Sequence, residues 1–116
     1  MGERHSLRFL FVLVSGPERT PTSTILSLVE AAQQAGHTCT VFFTGDGVQR
    51  VSEESITAFT QRMADLAKRG VLFIHCRESA KQRGSDRVPI PPLVSESSLA
   101  MMVELVDECD RSLVLD

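Results

Sequence analysis

The chain has no tryptophan and no tyrosine, and six phenylalanines are its whole aromatic stock in 116 residues. A stacking platform for nucleobases or for a flavin ring would have to be built from those six rings, most of which lie in strand-like runs, and this counts against both ligands. Basic residues are not in excess either: 12 Lys and Arg stand against 15 Asp and Glu, for a formal net charge of -3. The two signs are interleaved, so there is no basic stripe of the kind a phosphate backbone requires, and nucleic acid is not an expected partner. The apolar run LRFLFVLV at residues 7–14 falls far short of the roughly 20 residues that span a bilayer, and no small-residue cleavage site follows it. It reads as a buried strand, and no membrane partner is expected.

Cysteine is scarce as well. Three residues, an odd number without close pairing, in a chain with no recognisable secretory leader, point to free thiols in a reducing compartment, with the cytoplasm as the expected location. The absence of any C-x-x-C excludes dithiol redox chemistry of the thioredoxin kind, and no His/Cys cluster has zinc spacing, so neither a metal nor a cofactor is expected. The opening MGERHS fits an N-myristoylation pattern, a frequent accidental match that is set aside.

What is present describes one folded unit. Hydrophobic residues at 42% and charged residues at 23% fall in the globular range, and the length fits a single domain over residues 1–116. Residues 7–14 form a nearly continuous apolar run closed by Ser15-Gly16-Pro17, the look of a strand buried on both faces. From Pro21 the pattern changes to Ile25, Leu28, Val29, Ala32 and Ala35 at helical steps, with Gly36 placed as a C-cap. A second strand at residues 39–43 ends in the turn-like Thr44-Gly45-Asp46-Gly47. A second helix runs through Ile56, Phe59, Met63, Leu66 and Ala67 to Gly70. Residues 71–75 make a third strand, followed by about two helical turns ending at Gly84 and by GSDRVPIPP, whose prolines imply an exposed loop. A short strand at 93–95, a helix marked by Leu99, Met102, Val103 and Val106, and a strand at 112–115 complete the chain. Strand and helix alternating at this spacing predict an α/β three-layer sandwich: a mostly parallel five-stranded sheet with helices on both faces.

That topology sorts the thiols. Ligands collect at the carboxyl ends of parallel strands, a rim comprising Ser15, Gly16, Asp46, Gly47, Cys76, Arg77 and residues 95–97. Cys39 begins a strand and Cys109 closes a helix, so both belong to the opposite edge and the packing role of a buried thiol suits them. Cys76 instead opens a helix, where backbone N–H groups, joined by Arg77, favour a thiolate; simple packing is the other reading of the same position.

Several chemistries fail on spacing. A phosphatase or rhodanese loop needs an arginine after five intervening residues and glycines that converge on an oxyanion, whereas Arg83 lies one place too far and RESAK has no glycine. A Cys-His pair is ill placed, because His75 precedes Cys76 in a strand and faces the other way. The segment from Thr20 to Thr24 could cradle phosphate or simply cap its helix, and Asp46 could orient a ligand or serve a turn whose two glycines supply positive φ.

The combination of FVLVSGPE, VFFTGDGV, HCRESAKQRG and the terminal ECDRSLVLD resembles the DsrE/DsrF/TusD family of sulfur-relay proteins over nearly the whole chain. In that pattern a cysteine precedes an A-x-x-R-G segment, matched here by Cys76, Ala80, Arg83 and Gly84, while Arg77 and Glu78 stand where small apolar residues are common. The resemblance implies a compact α/β subunit that assembles into trimers or hexamers. It implies a sulfur carrier or sulfurtransferase in which Cys76 accepts a sulfane sulfur as a persulfide from a donor protein and passes it to an acceptor protein. A lone thiolate suits that role, since carrying one sulfur atom needs no second cysteine. The alternative from a different class is a non-catalytic oligomeric module that binds a small ligand or a protein at the same rim, and a third is an FMN-binding relative of flavodoxin.

Overall fold

A computed structural model describes residues 6–52, 56–84 and 90–116. The amino-terminal MGERHS motif through residue 5, and residues 85–89 of the expected loop, lie outside it. The strands are β1 (Arg8–Leu13), β2 (Thr38–Phe43), β3 (Leu72–Cys76), β4 (Val94–Ser97) and β5 (Arg111–Leu115). The α-helices are α1 (Thr22–Gln34), α2 (Thr60–Lys68), α3 (Arg77–Gln82) and α4 (Leu99–Glu108). All strand pairs are parallel, in the order β4-β3-β2-β1-β5, so the expected sandwich is the observed one and its sheet is parallel throughout.

Strand parity separates two apolar layers. Phe11 and Leu13, Val41 and Phe43, and Phe73 face a front layer filled by Ile25, Leu26 and Val29 of α1, Met63 and Leu66 of α2, and Ala80 of α3. Leu10 and Val12, Phe42, Ile74 and Cys76 face the back, where among the described residues α4 is the helix that covers them, through Met102 and Leu105. The asymmetry follows from the strand order. From β1 to β4 the chain steps one way across the sheet, and right-handed crossovers place α1, α2 and α3 on one face. The return from β4 to β5 reverses direction and puts α4 on the other.

Two local expectations change. The segment after β2 is not a turn but a 3-10 helix over Gly45–Val51, in which Val48 and Val51, three residues apart, are both buried, as the three-residue repeat of that helix allows. Of its two glycines only Gly45 has positive φ (54°); at Gly47 a Cβ would run into the Leu13 carbonyl oxygen, so close approach to the end of β1 is the reason for glycine there. Within the expected second helix, a separate 3-10 turn at Thr57–Phe59 precedes α2.

Candidate functional site

β3 is followed by α3 on the front face and β4 by α4 on the back, so two neighbouring strands send their connections to opposite sides of the sheet. In open parallel sheets such a divergence marks the position, at the carboxyl ends of the two strands, at which ligands bind. Cys76 is the last residue of β3, pairs in register with Ser97 at the end of β4, and is the N-cap of α3 with extended backbone angles (φ -79°, ψ 120°). The sequence therefore places one thiol at the switch point, and does so through strand length alone.

The thiol lies on the back face, in the layer of Leu10, Val12, Phe42 and Ile74 beneath α4, and Cys76 is 1% exposed. Its Sγ donates to Glu78 Oε2 at 3.3 Å, in the first turn of α3. Glu78 is exposed, and its carboxyl is held below the ordinary carboxylate range by its own backbone N–H first and by the Cys76 thiol next. A small burial penalty opposes this, and the Leu99 N–H at the start of α4 and the charge of Arg77 add to it. The Glu78 carboxylate is thus stabilised from the starts of both diverging helices.

Arg77 is engaged elsewhere. Its Nε is 3.0 Å from Glu96 Oε1, with both side chains more than half exposed (61% and 54%), so the cation expected to activate the thiol is shared with a carboxylate of β4. His75 points to the front, as alternation in a strand requires, and is 7% exposed, with no hydrogen-bond partner for Nδ1 among the described residues. Burial pushes its pKa down, against opposing effects of the Glu96 charge and the Ser95 carbonyl.

The remaining rim residues form two clusters apart from the sulfur. On the front, Asp46 Oδ1 accepts from Arg83 Nε at 2.7 Å, and Ser79 Oγ accepts from the Gly45 N–H at 3.0 Å, tying α3 to the 3-10 segment that contains Gly47. At the end of β1, Arg50 is 1% exposed and its guanidinium organises the loop that holds Ser15 and Gly16. Nε donates to the Ser15 carbonyl (2.8 Å), Nη1 to the Thr20 carbonyl (2.7 Å) and Thr22 Oγ1 (3.1 Å), and Nη2 to the Gly16 carbonyl (2.9 Å) and Ser15 Oγ (3.4 Å). Burial lowers the pKa of Arg50, and the charge of Glu18 opposes that shift. The Thr20–Thr24 hydroxyls are partly taken up in these ties: Thr22 by Arg50, and Thr20 Oγ1 by donating to the Asp116 carbonyl at 2.9 Å.

Sequence reasoning missed Arg50 and Glu78. Nothing in GDGVQRV marks its arginine as buried, whereas an acid in the first turn after Cys76 is a readable sign of a group drawn to helix N–H donors. Cys39 is buried on the front face, where its thiol donates to the Val29 carbonyl at 3.8 Å and burial raises its pKa. Cys109 is the C-cap of α4, beside a pocket of about 70 Å³ at the amino edge of the sheet between Arg8, Thr38, Thr40 and Glu108. Among the described residues no three His, Cys, Asp or Glu side chains are grouped to hold a metal ion, and no helix is long and apolar enough to cross a membrane.

Comparison with known proteins agrees with this fold. The family model described as the DsrE/DsrF-like family matches residues 8–115. The crystal structure of the YchN protein from E. coli superposes with a TM-score of 0.77 at 13% identity, covering 96% of this chain and all of that one. A protein of unknown function, MTH1491 from Methanobacterium thermoautotrophicum, superposes with a TM-score of 0.71 at 17% identity over 95% of this chain and all of its own. At these identities the likeness is one of fold. No curated protein matches the sequence.

Proposed function

The chain belongs to the DsrE/DsrF-like family, whose members are generally tied to sulfur relay, and from that premise we propose that it is a cytoplasmic sulfur carrier or sulfurtransferase subunit with Cys76 as its persulfide site. The observation that carries the reading is the position of that thiol at the β3/β4 switch point, between the starts of two helices. Transfer from a donor persulfide R–S–SH proceeds by attack of the Cys76 sulfur on the outer sulfur of the donor. The new S–S bond forms as the donor's breaks, the electron pair leaves with R–S⁻, and that thiolate takes up the proton released by Cys76. Sulfur changes carrier with no net oxidation, so the step needs neither metal nor redox cofactor, and an acceptor thiol discharges the product by the same chemistry.

The partners in this reading are a donor protein, an acceptor protein and further subunits. Self-association, as a trimer or hexamer, finds support in the back face. α4 has no fully buried residue, and Leu99, Met101, Val103 and Val106 along it are 39–63% exposed. Leu72 (45%) and Val114 (65%) lie exposed on the same face of the sheet.

The test is incubation with a low-molecular-weight persulfide, followed by peptide mass spectrometry of the wild type, Cys76→Ser and Cys39→Ser. A gain of one sulfur confined to Cys76 and abolished in Cys76→Ser is the expected result. The absence of any added sulfur on Cys76 favours a second reading, a non-catalytic oligomeric binding module, for which the observation is the burial of Cys76 itself.

A further inference from the structure

We propose that β5 is an interface strand: its outer edge pairs antiparallel with β5 of a second copy of this chain across a two-fold axis, joining two five-stranded sheets into one. Nothing in this depends on the chemistry of Cys76, and the contact differs from one through the apolar back face because backbone hydrogen bonds make it. The two edges of the sheet are built in opposite ways. β4 is the shorter strand, follows Pro91 and Pro92, and carries in mid-strand the charge of Glu96, ion-paired to Arg77; short length and charge keep an edge from pairing. β5 has no such guard beyond Arg111 at its start. Ser112 to Leu115 contain no charge, proline or glycine, and the register with β1 runs unbroken from Phe9 opposite Arg111 to Leu13 opposite Leu115. Every residue of the strand except Leu115 is exposed, Val114 at 65%. An unguarded apolar edge is a template for another strand.

The occupant follows from the register. The Leu115 carbonyl accepts from the Val14 N–H at 3.2 Å, so Arg111, Leu113 and Leu115 turn their backbone groups toward β1. Those of Ser112 and Val114, and the Asp116 N–H, point outward, where no strand lies among the described residues. A two-fold axis normal to the sheet keeps front against front and back against back. With Val114 on the axis, its backbone groups bond to the partner's Val114, and the Ser112 hydroxyl lies opposite the carboxylate of the partner's Asp116 on the back. On the front, Leu113 lies opposite the partner's Leu115. Polar residues thus meet polar ones and apolar meet apolar, each twice by symmetry. Centring the pair on Leu113 instead sets Arg111 against the partner's Leu115 and loses the match. A strand that complements itself fits a second copy better than an unrelated peptide, and the pair supplies the two-fold axis that a hexamer has and a trimer lacks.

The experiment is sedimentation of the wild type, Leu113→Lys and Glu96→Lys, with circular dichroism as the check of folding. Leu113→Lys places on β5 the charge that guards other edges, and the mass of the assembly should fall by half. Glu96→Lys, on the opposite edge, should leave it unchanged. The register is read by diamide oxidation of the double variant Leu113→Cys, Leu115→Cys in a Cys109→Ser background. Opposite residues of a non-hydrogen-bonded pair have Cα atoms about 4.5 Å apart, inside the disulfide range of about 4.4–6.8 Å, so a covalent dimer should form. Neither single variant should give one. A monomeric wild type, a Leu113→Lys assembly of unchanged mass, or a double variant that stays unlinked each overturns the pairing. Single variants that link as readily as the double one overturn it too, by showing random collision. If Leu113→Lys does not fold, the double variant decides alone.

Discussion

Replacing Arg50 by methionine tests whether a buried cation organises the loop after β1. Methionine keeps most of the side-chain volume, so little cavity is left, and what disappears is the donor to the Ser15, Gly16 and Thr20 carbonyls. An orphaned buried acceptor costs about 1–3 kcal/mol, but these three lie at a rim where water can reach some of them after substitution. Against the loss stands the desolvation of the guanidinium, visible in the downward shift of its pKa, which the variant no longer suffers. We set the net destabilisation at about 2–3 kcal/mol, because the five donor contacts are to neutral oxygens and leave no uncompensated charge behind. With a urea dependence of about 1–3 kcal/mol/M the unfolding midpoint should fall by roughly 0.7–3 M. Arg69→Met, at an exposed position, should stay within about 0.5 kcal/mol of the wild type. An Arg50→Met midpoint equal to or above the wild type would refute the reasoning, since it would mean that burying the guanidinium costs as much as its hydrogen bonds return.

Two further outcomes are expected. Because burial lowers the pKa of His75 in the folded state, the unfolded chain binds the extra proton first as pH falls through the ordinary histidine value of about 6.5. Stability should therefore decline between pH 7 and pH 5, and His75→Phe should flatten that decline in thermal melts; a slope identical in the variant would rule out His75 as its source. Val103→Glu and Val114→Glu place charges on the exposed back face, and sedimentation should show assemblies of the wild type shifting toward the 12.8 kDa monomer. A wild type that is already monomeric, or variants that assemble unchanged, would remove the back face as the interface.

Much of the site was legible because parity and strand length are local properties. His75 and Cys76 are adjacent in a strand, so opposite facing follows without knowledge of any neighbour, and the apolar run before them locates the carboxyl end of β3 within a residue. The grouping of Ser15, Gly16, Asp46 and Gly47 with Cys76 on one rim was legible only as far as the rim. The sheet is two-sided, and these residues turn to Arg50 or Arg83 while the sulfur turns to the back. Reading GDGV as a turn failed because the reason for Gly47 is a long-range approach to Leu13, invisible to local dihedral preference.

By itself the sequence determined the alternation of strands and helices, the parallel sheet and the edge at which each cysteine falls, since hydrophobic period and right-handed crossovers are properties of short stretches and of L-amino acids. The tertiary structure alone decided that α4 is what covers the back face among the described residues and that Arg50 is interior. Those outcomes depend on which segments, distant along the chain, come within a few ångströms of one another, and no local pattern encodes that.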